Sequence, residues 1–152
     1  MSDIACPCLS NKLYTDCCKP FHTGQRVANS AKQLMCSRYS AFYLGNTSYL
    51  IATLHPDKRQ SDDERVLKET IEQTQWLGLK IIKHQSHGET ATVEFVAFYQ
   101  DNDIGQLHEC SNFIKQSGVW FYIDGDILPS IKISRNETCF CGSGKKSKKC
   151  PH

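Results

Sequence analysis

The sequence predicts an α+β protein: helices first, then an antiparallel sheet, with a cysteine knuckle at each end. Three observations predict it. Apolar residues keep helical spacing through the first half of the chain, and from Leu77 onward the period drops to two. Glycine and polar clusters then punctuate the second half at hairpin intervals. Seven of the nine cysteines stand before Lys19 or after Thr138, in nearly the same pattern at both ends.

In "ANSAKQLMCSRYSAFYLG" a helix is capped by Asn29 or Ser30, and Leu34, Met35, Tyr39 and Phe42 share one face. Gly45 stops it, because glycine accepts the left-handed conformation that ends a helix. "NTSYLIATLHP" restarts as a second helix from Asn46 and ends before Pro56, since the residue before proline is pushed out of helical geometry. "SDDERVLKETIEQTQW" opens with Ser61 and two aspartates, whose charge suits a helix N-terminus, and reads helical through Trp76. "LGLKIIKHQ", "TATVEFVAFYQ", "GQLHECSNFIKQ" and "GVWFYIDG" read as strands, joined by turns at "SHGE", "DNDI" and "QSG". Helices packed on the concave face of a curved sheet bury both apolar surfaces.

The 152 residues, 39% apolar and 22% charged, suffice for one domain with its own core. No apolar run approaches the roughly 18 residues that cross a bilayer, so no membrane span is expected. The start "MSDIACPC" lacks the basic and apolar segments of a secretory signal, so a cytoplasmic protein is expected. Thiols stay reduced in that compartment, and an odd number of cysteines does not make a simple disulfide framework.

Metal binding is the reading that suits them. Cys6, Cys8, Cys17 and Cys18 are spaced C-x-C, eight residues, C-C. Cys139, Cys141 and Cys150 repeat the C-x-C, the eight residues and one further cysteine. Thiolates converging from two close pairs suit tetrahedral zinc, and the loop between the pairs must reverse tightly. Gly142 and Gly144 allow that reversal at the C-terminal end, and Asn11 is the residue most tolerant of it at the N-terminal end. Units this short would draw their folding energy from the metal, and two zinc ions are expected. The rival chemistry is redox, because C-x-C and vicinal cysteines can form strained disulfides.

Charge separates the two ends. Lys12 and Lys19 balance Asp3 and Asp16, so four thiolates around one divalent ion leave the first unit negative. Arg135, Lys145, Lys146, Lys148 and Lys149 outweigh Glu137, so the second stays positive with three thiolates and zinc. Such a cationic tip suits an acidic protein face, phosphate-rich RNA or anionic lipid headgroups, or it simply solubilises the metal site.

"CFCGSGKKSKKC" resembles the SEC-C motif, the zinc knuckle that ends the SecA translocation ATPase. In that pattern a Cys or His follows the third cysteine directly; here Pro151 stands there and His152 one step later. The resemblance therefore implies Cys139, Cys141, Cys150 and, through its imidazole or terminal carboxylate, His152 as ligands. The order of helices and strands resembles the nuclear transport factor 2-like cone fold. "LMCSRYSAFYLGNTSYLIATLHPDKR", "HECSNFIKQSGVWFYIDG" and "RNETCFCGSGKK", between two SEC-C-like ends, resemble the YchJ family along essentially the whole chain. The resemblance implies a knuckle over 1–24, a cone domain over 25–128, and a connector with a second knuckle over 129–152. It implies architecture and zinc far more than activity.

Related cone folds enclose pockets. Arg38, His55 and Trp120 are the candidates to line one here, on fold analogy. Arg38 also reads as an ion-pair anchor and His55 as a helix C-terminal cation or cap. His108 and Glu109, adjacent on a strand, point to opposite faces. No phosphate loop or nucleophile motif is present, and no catalytic residue is assigned. Cys36 and Cys110 read as buried free thiols, and His22 either packs with Phe21 or competes with Cys18 as a ligand. By analogy with the export ATPase, whose knuckle contacts a chaperone, the expected function is that of a non-catalytic adaptor. Its Lys145, Lys146, Lys148 and Lys149 would meet an acidic protein surface or ribosomal RNA, with no sequence-specific DNA binding. A ligand-binding protein or enzyme built on the cone cavity is the alternative, and purely structural knuckles are another.

Overall fold

A computed structural model describes residues 4–100 and 104–130 of the chain. The N-terminal segment folds back on itself as a miniature hairpin. Ala5 bridges Leu13, Tyr14 N–H donates to the Ile4 carbonyl at 2.8 Å, and Cys6 N–H donates to the Lys12 carbonyl at 2.9 Å. The reversal uses two left-handed residues, Asn11 at φ 70° and Leu9 at φ 63°. Asn11 is the expected one. Leu9 is not, and its N–H is held by the Cys6 carbonyl at 3.0 Å. A short helix, α1 (Lys19–His22), follows the last two cysteines. Sequence reading did not find it, because a single turn started by Pro20 carries no periodic signal.

Helix α2 (Ala31–Leu44) is capped by Ser30, whose Oγ accepts from Gln33 N–H at 3.2 Å. Gln33 Oε1 in turn accepts from Asn29 N–H at 2.8 Å, so both cap candidates take part. Gly45 ends the helix at φ 80°. Helix α3 (Thr47–Thr53) starts at Asn46, whose Oδ1 accepts from Tyr49 N–H at 3.1 Å. Helix α4 (Asp63–Gln73) carries the ion pairs Arg65–Glu69 and Lys68–Glu64 on its exposed side. It stops three residues before the expected end. Trp76 belongs instead to the first strand, where its indole packs edge-on against Tyr39 at 6.1 Å and Tyr99 at 5.8 Å between ring centroids. That aromatic packing outweighs a weak helical preference.

The strands β1 (Gln75–His87), β2 (Thr90–Gln100), β3 (Ile104–Gln116) and β4 (Val119–Ile127) form one antiparallel meander in chain order. Gly88–Glu89 and Ser117–Gly118 make the tight turns, with Gly88, Ser117 and Gly118 at positive φ. The "DNDI" turn falls mostly outside the described residues. Register shifts at Trp76/Gly78, Ile81/Lys83 and Asn112/Phe113 bend the sheet around α2. The core joins Leu34, Met35 and Tyr39 of α2 to Val93, Phe95, Phe113 and Trp120 of the sheet. Cys6, Cys8 and Cys18 belong to that same core. The knuckle is thus packed into the domain through α2.

Candidate functional site

Four sulfurs converge where the N-terminal hairpin meets α2. The Sγ atoms of Cys6, Cys8, Cys17 and Cys18 all lie within 4.8 Å of one another. Cys8 stands 3.6 Å from Cys6 and 3.7 Å from Cys17, and Cys17 stands 3.9 Å from Cys18. A tetrahedral zinc with Zn–S bonds of about 2.3 Å has S···S edges of about 3.8 Å. The donor set therefore fits that ion in both chemistry and spacing, and none of the four sulfurs is in a disulfide.

Electrostatics point the same way. Hydrogen bonds from Cys18, Cys36 and Cys6 favour a thiolate on Cys8. Burial pushes Cys17 up to about 11, and the Cys18 thiol is raised by sharing its proton with Cys6. Left to themselves the thiols thus favour one thiolate shared among donors. A divalent cation at the centre would supply the charge that lets all four ionise.

Further groups hold the sulfurs. Ser40, fully buried on α2, donates its hydroxyl to Cys18 Sγ at 3.3 Å and lies 3.6 Å from Cys6 Sγ. Ser10 Oγ accepts from Lys12 N–H at 3.3 Å and lies 3.1 Å from Cys17 Sγ. Cys36 also reaches the cluster, through Cys8, and its thiol is pushed up by that contact and by burial. Cys110 sits half-buried on β3, opposite Glu94 and Asp126.

His22 is bonded elsewhere and has no nitrogen left for a metal. Its Nε2 donates to the Ser37 carbonyl at 2.8 Å, and its Nδ1 accepts from the Tyr14 hydroxyl at 2.7 Å. The ring is flanked by Tyr14 and Tyr49. Burial holds it below the usual histidine range, in keeping with a neutral ring.

The expected pocket residues fall in different places. Arg38 lines a cavity of about 330 Å³ inside the cone, between α2, α4 and the four strands. Its Nη1 donates to the Leu50 carbonyl at 2.8 Å and to Thr53 Oγ1 at 2.7 Å, anchoring α2 to the end of α3 through neutral acceptors. Burial lowers it to about 10, still charged at neutral pH, and its guanidinium lies 4.6 Å from the centre of the Tyr122 ring. Trp120 lines a second cavity of about 410 Å³, with His22, Leu34 and Tyr49. The position beside Arg38 belongs to Tyr122, two residues further along the same face of β4. His55 lines neither cavity. Its Nδ1 accepts from Asp57 N–H at 3.1 Å and its Nε2 donates to Gln116 Oε1 at 2.9 Å. It caps the turn that follows it, not the helix that precedes it.

His108 and Glu109 do point to opposite faces. Glu109 lines the cone cavity and accepts from Tyr122 Oη at 3.1 Å and from Ser111 Oγ. His108, on the other face, bonds Glu94 at 2.8 Å and the Pro129 carbonyl at 2.7 Å. Cys139, Cys141, Cys150, His152 and Lys145, Lys146, Lys148 and Lys149 lie outside the described residues.

Helices wrapped in a curved antiparallel sheet, with a thiol cluster sealed against the longest helix, define a cone-type α+β protein with a candidate metal centre. The chain matches the family model described as "YchJ, middle NTF2-like domain" over residues 30–125 and the SEC-C motif over residues 135–150. It belongs to that family, which also carries the name UPF0225. A UPF0225 protein of Geobacter sulfurreducens is 42% identical, with 95% of this chain and 96% of that protein aligned. One from Yersinia pestis is 43% identical over 99% and 98%. The solution structure of a SEC-C motif containing protein from Rhodopseudomonas palustris superposes with a TM-score of 0.78 at 33% identity, covering 83% of this chain and all of that one. A crystal structure of a SEC-C motif containing protein from Psychrobacter arcticus gives 0.69 at 30% identity, covering 95% and 93%. No helix among the described residues is long and apolar enough to cross a membrane.

The serines that hold the sulfurs, and the Glu109–Tyr122 pair, were not found by sequence reasoning. One signal was available: a buried helix that spells Ser37-Arg38-Tyr39-Ser40 has polar groups that must each find a partner.

Proposed function

We propose that this is a cytoplasmic, non-catalytic zinc protein in which the two ends do different work. The N-terminal cysteines hold zinc as a structural clamp that ties the start of the chain to α2. The observation that carries this is the convergence of four sulfurs within 4.8 Å, sealed by Ser40 and continuous with the core. Cys6, Cys8 and Cys18 are buried, and the hydrophobic side chains that the hairpin exposes, Ile4, Leu9 and Leu13, offer no positive charge to an acidic partner. The contact role passes to the C-terminal SEC-C motif, with Cys139, Cys141, Cys150 and His152 on a second zinc. Lys145, Lys146, Lys148 and Lys149 face an acidic protein surface there, and the match over residues 135–150 supports the motif.

Metal analysis of the untagged chain tests the zinc, with two ions per chain expected and one after His152→Ala. Pull-down at low salt tests the contact. Binding should weaken with salt and with Lys145→Glu and Lys149→Glu, and nuclease treatment of the lysate should leave it intact. Loss on nuclease treatment would point to ribosomal RNA instead.

A further inference from the structure

The cone cavity is apolar over most of its wall and charged at one place. Phe42, Trp76 and Phe95 supply flat aromatic surface. Arg38 and Glu109 bring a guanidinium and a carboxylate to the same space. Among the described residues the two make no direct ion pair: Arg38 bonds α3 through Nη1, while Glu109 takes both of its hydrogen bonds on Oε2. Holding a buried guanidinium and a half-buried carboxylate in one apolar space without closing them on each other is costly. A guanidinium and a carboxylate that line one apolar cavity without pairing call for an occupant.

The wall chemistry says which kind. The charges cancel, so an ionic ligand would leave one charge uncompensated in an apolar space. A neutral group that both accepts from the guanidinium and donates to the carboxylate complements both. A volume of about 330 Å³ lies at the small end of the range for ligand sites. We propose that the cone cavity is a binding site for a small, uncharged aromatic molecule bearing a hydroxyl or carboxamide, which bridges Arg38 and Glu109 while its ring packs on Trp76 and Phe95. The site shares no lining residue with the zinc clamp.

The test uses the full zinc-loaded chain and three probes: 2-naphthol, naphthalene and 2-naphthoate, titrated by calorimetry and by nitrogen-15 spectra of the indole N–H groups. 2-Naphthol should saturate and shift the Trp76 resonance more than that of Trp120, with naphthalene and 2-naphthoate each at least tenfold weaker. Glu109→Gln should weaken 2-naphthol and strengthen 2-naphthoate, changing their ratio at least tenfold, because Arg38 would then be unbalanced. No saturable Trp76 shift with any probe overturns the proposal. So does equal binding of naphthalene, which would reduce the cavity to an apolar hole, or a response reported by Trp120 alone.

Discussion

The hydroxyl of Ser40 reaches from the buried face of α2 to donate a hydrogen bond to Cys18 Sγ at 3.3 Å, and Cys6 Sγ lies 3.6 Å from the same oxygen. One serine thus joins the helix that organises the cone to two of the four sulfurs. A donor placed behind metal-bound thiolates drains part of their charge and fixes their orientation. Ser40→Ala should lower zinc affinity about 10- to 100-fold in a chelator competition. The far-ultraviolet circular dichroism of the loaded protein should not change. Unchanged affinity would mean that the serine is only a helix residue.

Metal removal should affect the whole domain. Cys6, Cys8 and Cys18 pack with Leu34, Met35 and Phe113, so releasing the clamp strips one end of the core. Chelation, or Cys18→Ser, should lower Tm by at least ~10 °C in calorimetry, on the scale of 2–4 °C per kcal/mol for a chain of this size. If only the first residues lose hydrogen-exchange protection while Tm holds, the clamp is a local ornament.

His108 predicts a pH dependence. Its Nδ1 donates to the Pro129 carbonyl, and its Nε2 faces the Glu94 carboxylate at 2.8 Å, so only the imidazolium can donate to both. The bond to Pro129 and the Glu94 charge raise its pKa, against a smaller opposing effect of burial. A raised folded value makes this contribution fully present below the ordinary histidine value of about 6.5 and lost as pH rises through the folded value. Leu128 N–H, which donates to the His108 carbonyl at 2.7 Å, should exchange with a lower protection factor above that window than below it. Glu94→Gln should move the transition to lower pH. A pH-independent protection factor would refute the linkage.

Gly125 makes room for a carboxylate. A Cβ built there would overlap Glu109 Oε2, the oxygen that accepts from Ser111 and Tyr122. Gly125→Ala should destabilise the protein by about 1–3 kcal/mol in urea denaturation, as overpacking does. In a Glu109→Ala background the same change should cost well under half as much, a coupling that a double-mutant cycle reads directly. Additive losses would mean that the glycine is needed for its backbone alone.

Much of this architecture is legible in the residues. The switch from helical spacing to alternation near Trp76 marks where helices give way to strands, and the turns at "SHGE" and "QSG" lie where expected. The convergence of the first four sulfurs follows from spacing, because C-x-C and C-C across eight residues can meet only on a tight reversal. Arg38, named as a pocket candidate on fold analogy, lines the cone cavity. Tyr122 was missed in favour of Trp120, since alternation assigns a face but not a height along the strand. Leu9 at φ 63° was missed because no local preference announces a leucine there; its N–H is held by the Cys6 carbonyl.

Composition, periodicity and cysteine spacing by themselves determined the α+β order, the antiparallel meander and the four-sulfur set, for each depends on contacts a few residues apart or on the two-residue repeat of a strand. Tertiary structure alone decided that the knuckle's sulfurs are packed against α2, that Ser40 stands behind them, and that Arg38 and Glu109 share a cavity. Those relationships join residues 22 to 71 positions apart. Chain closure over such distances depends on how the sheet bends and which side chains fill it, and no local pattern encodes that.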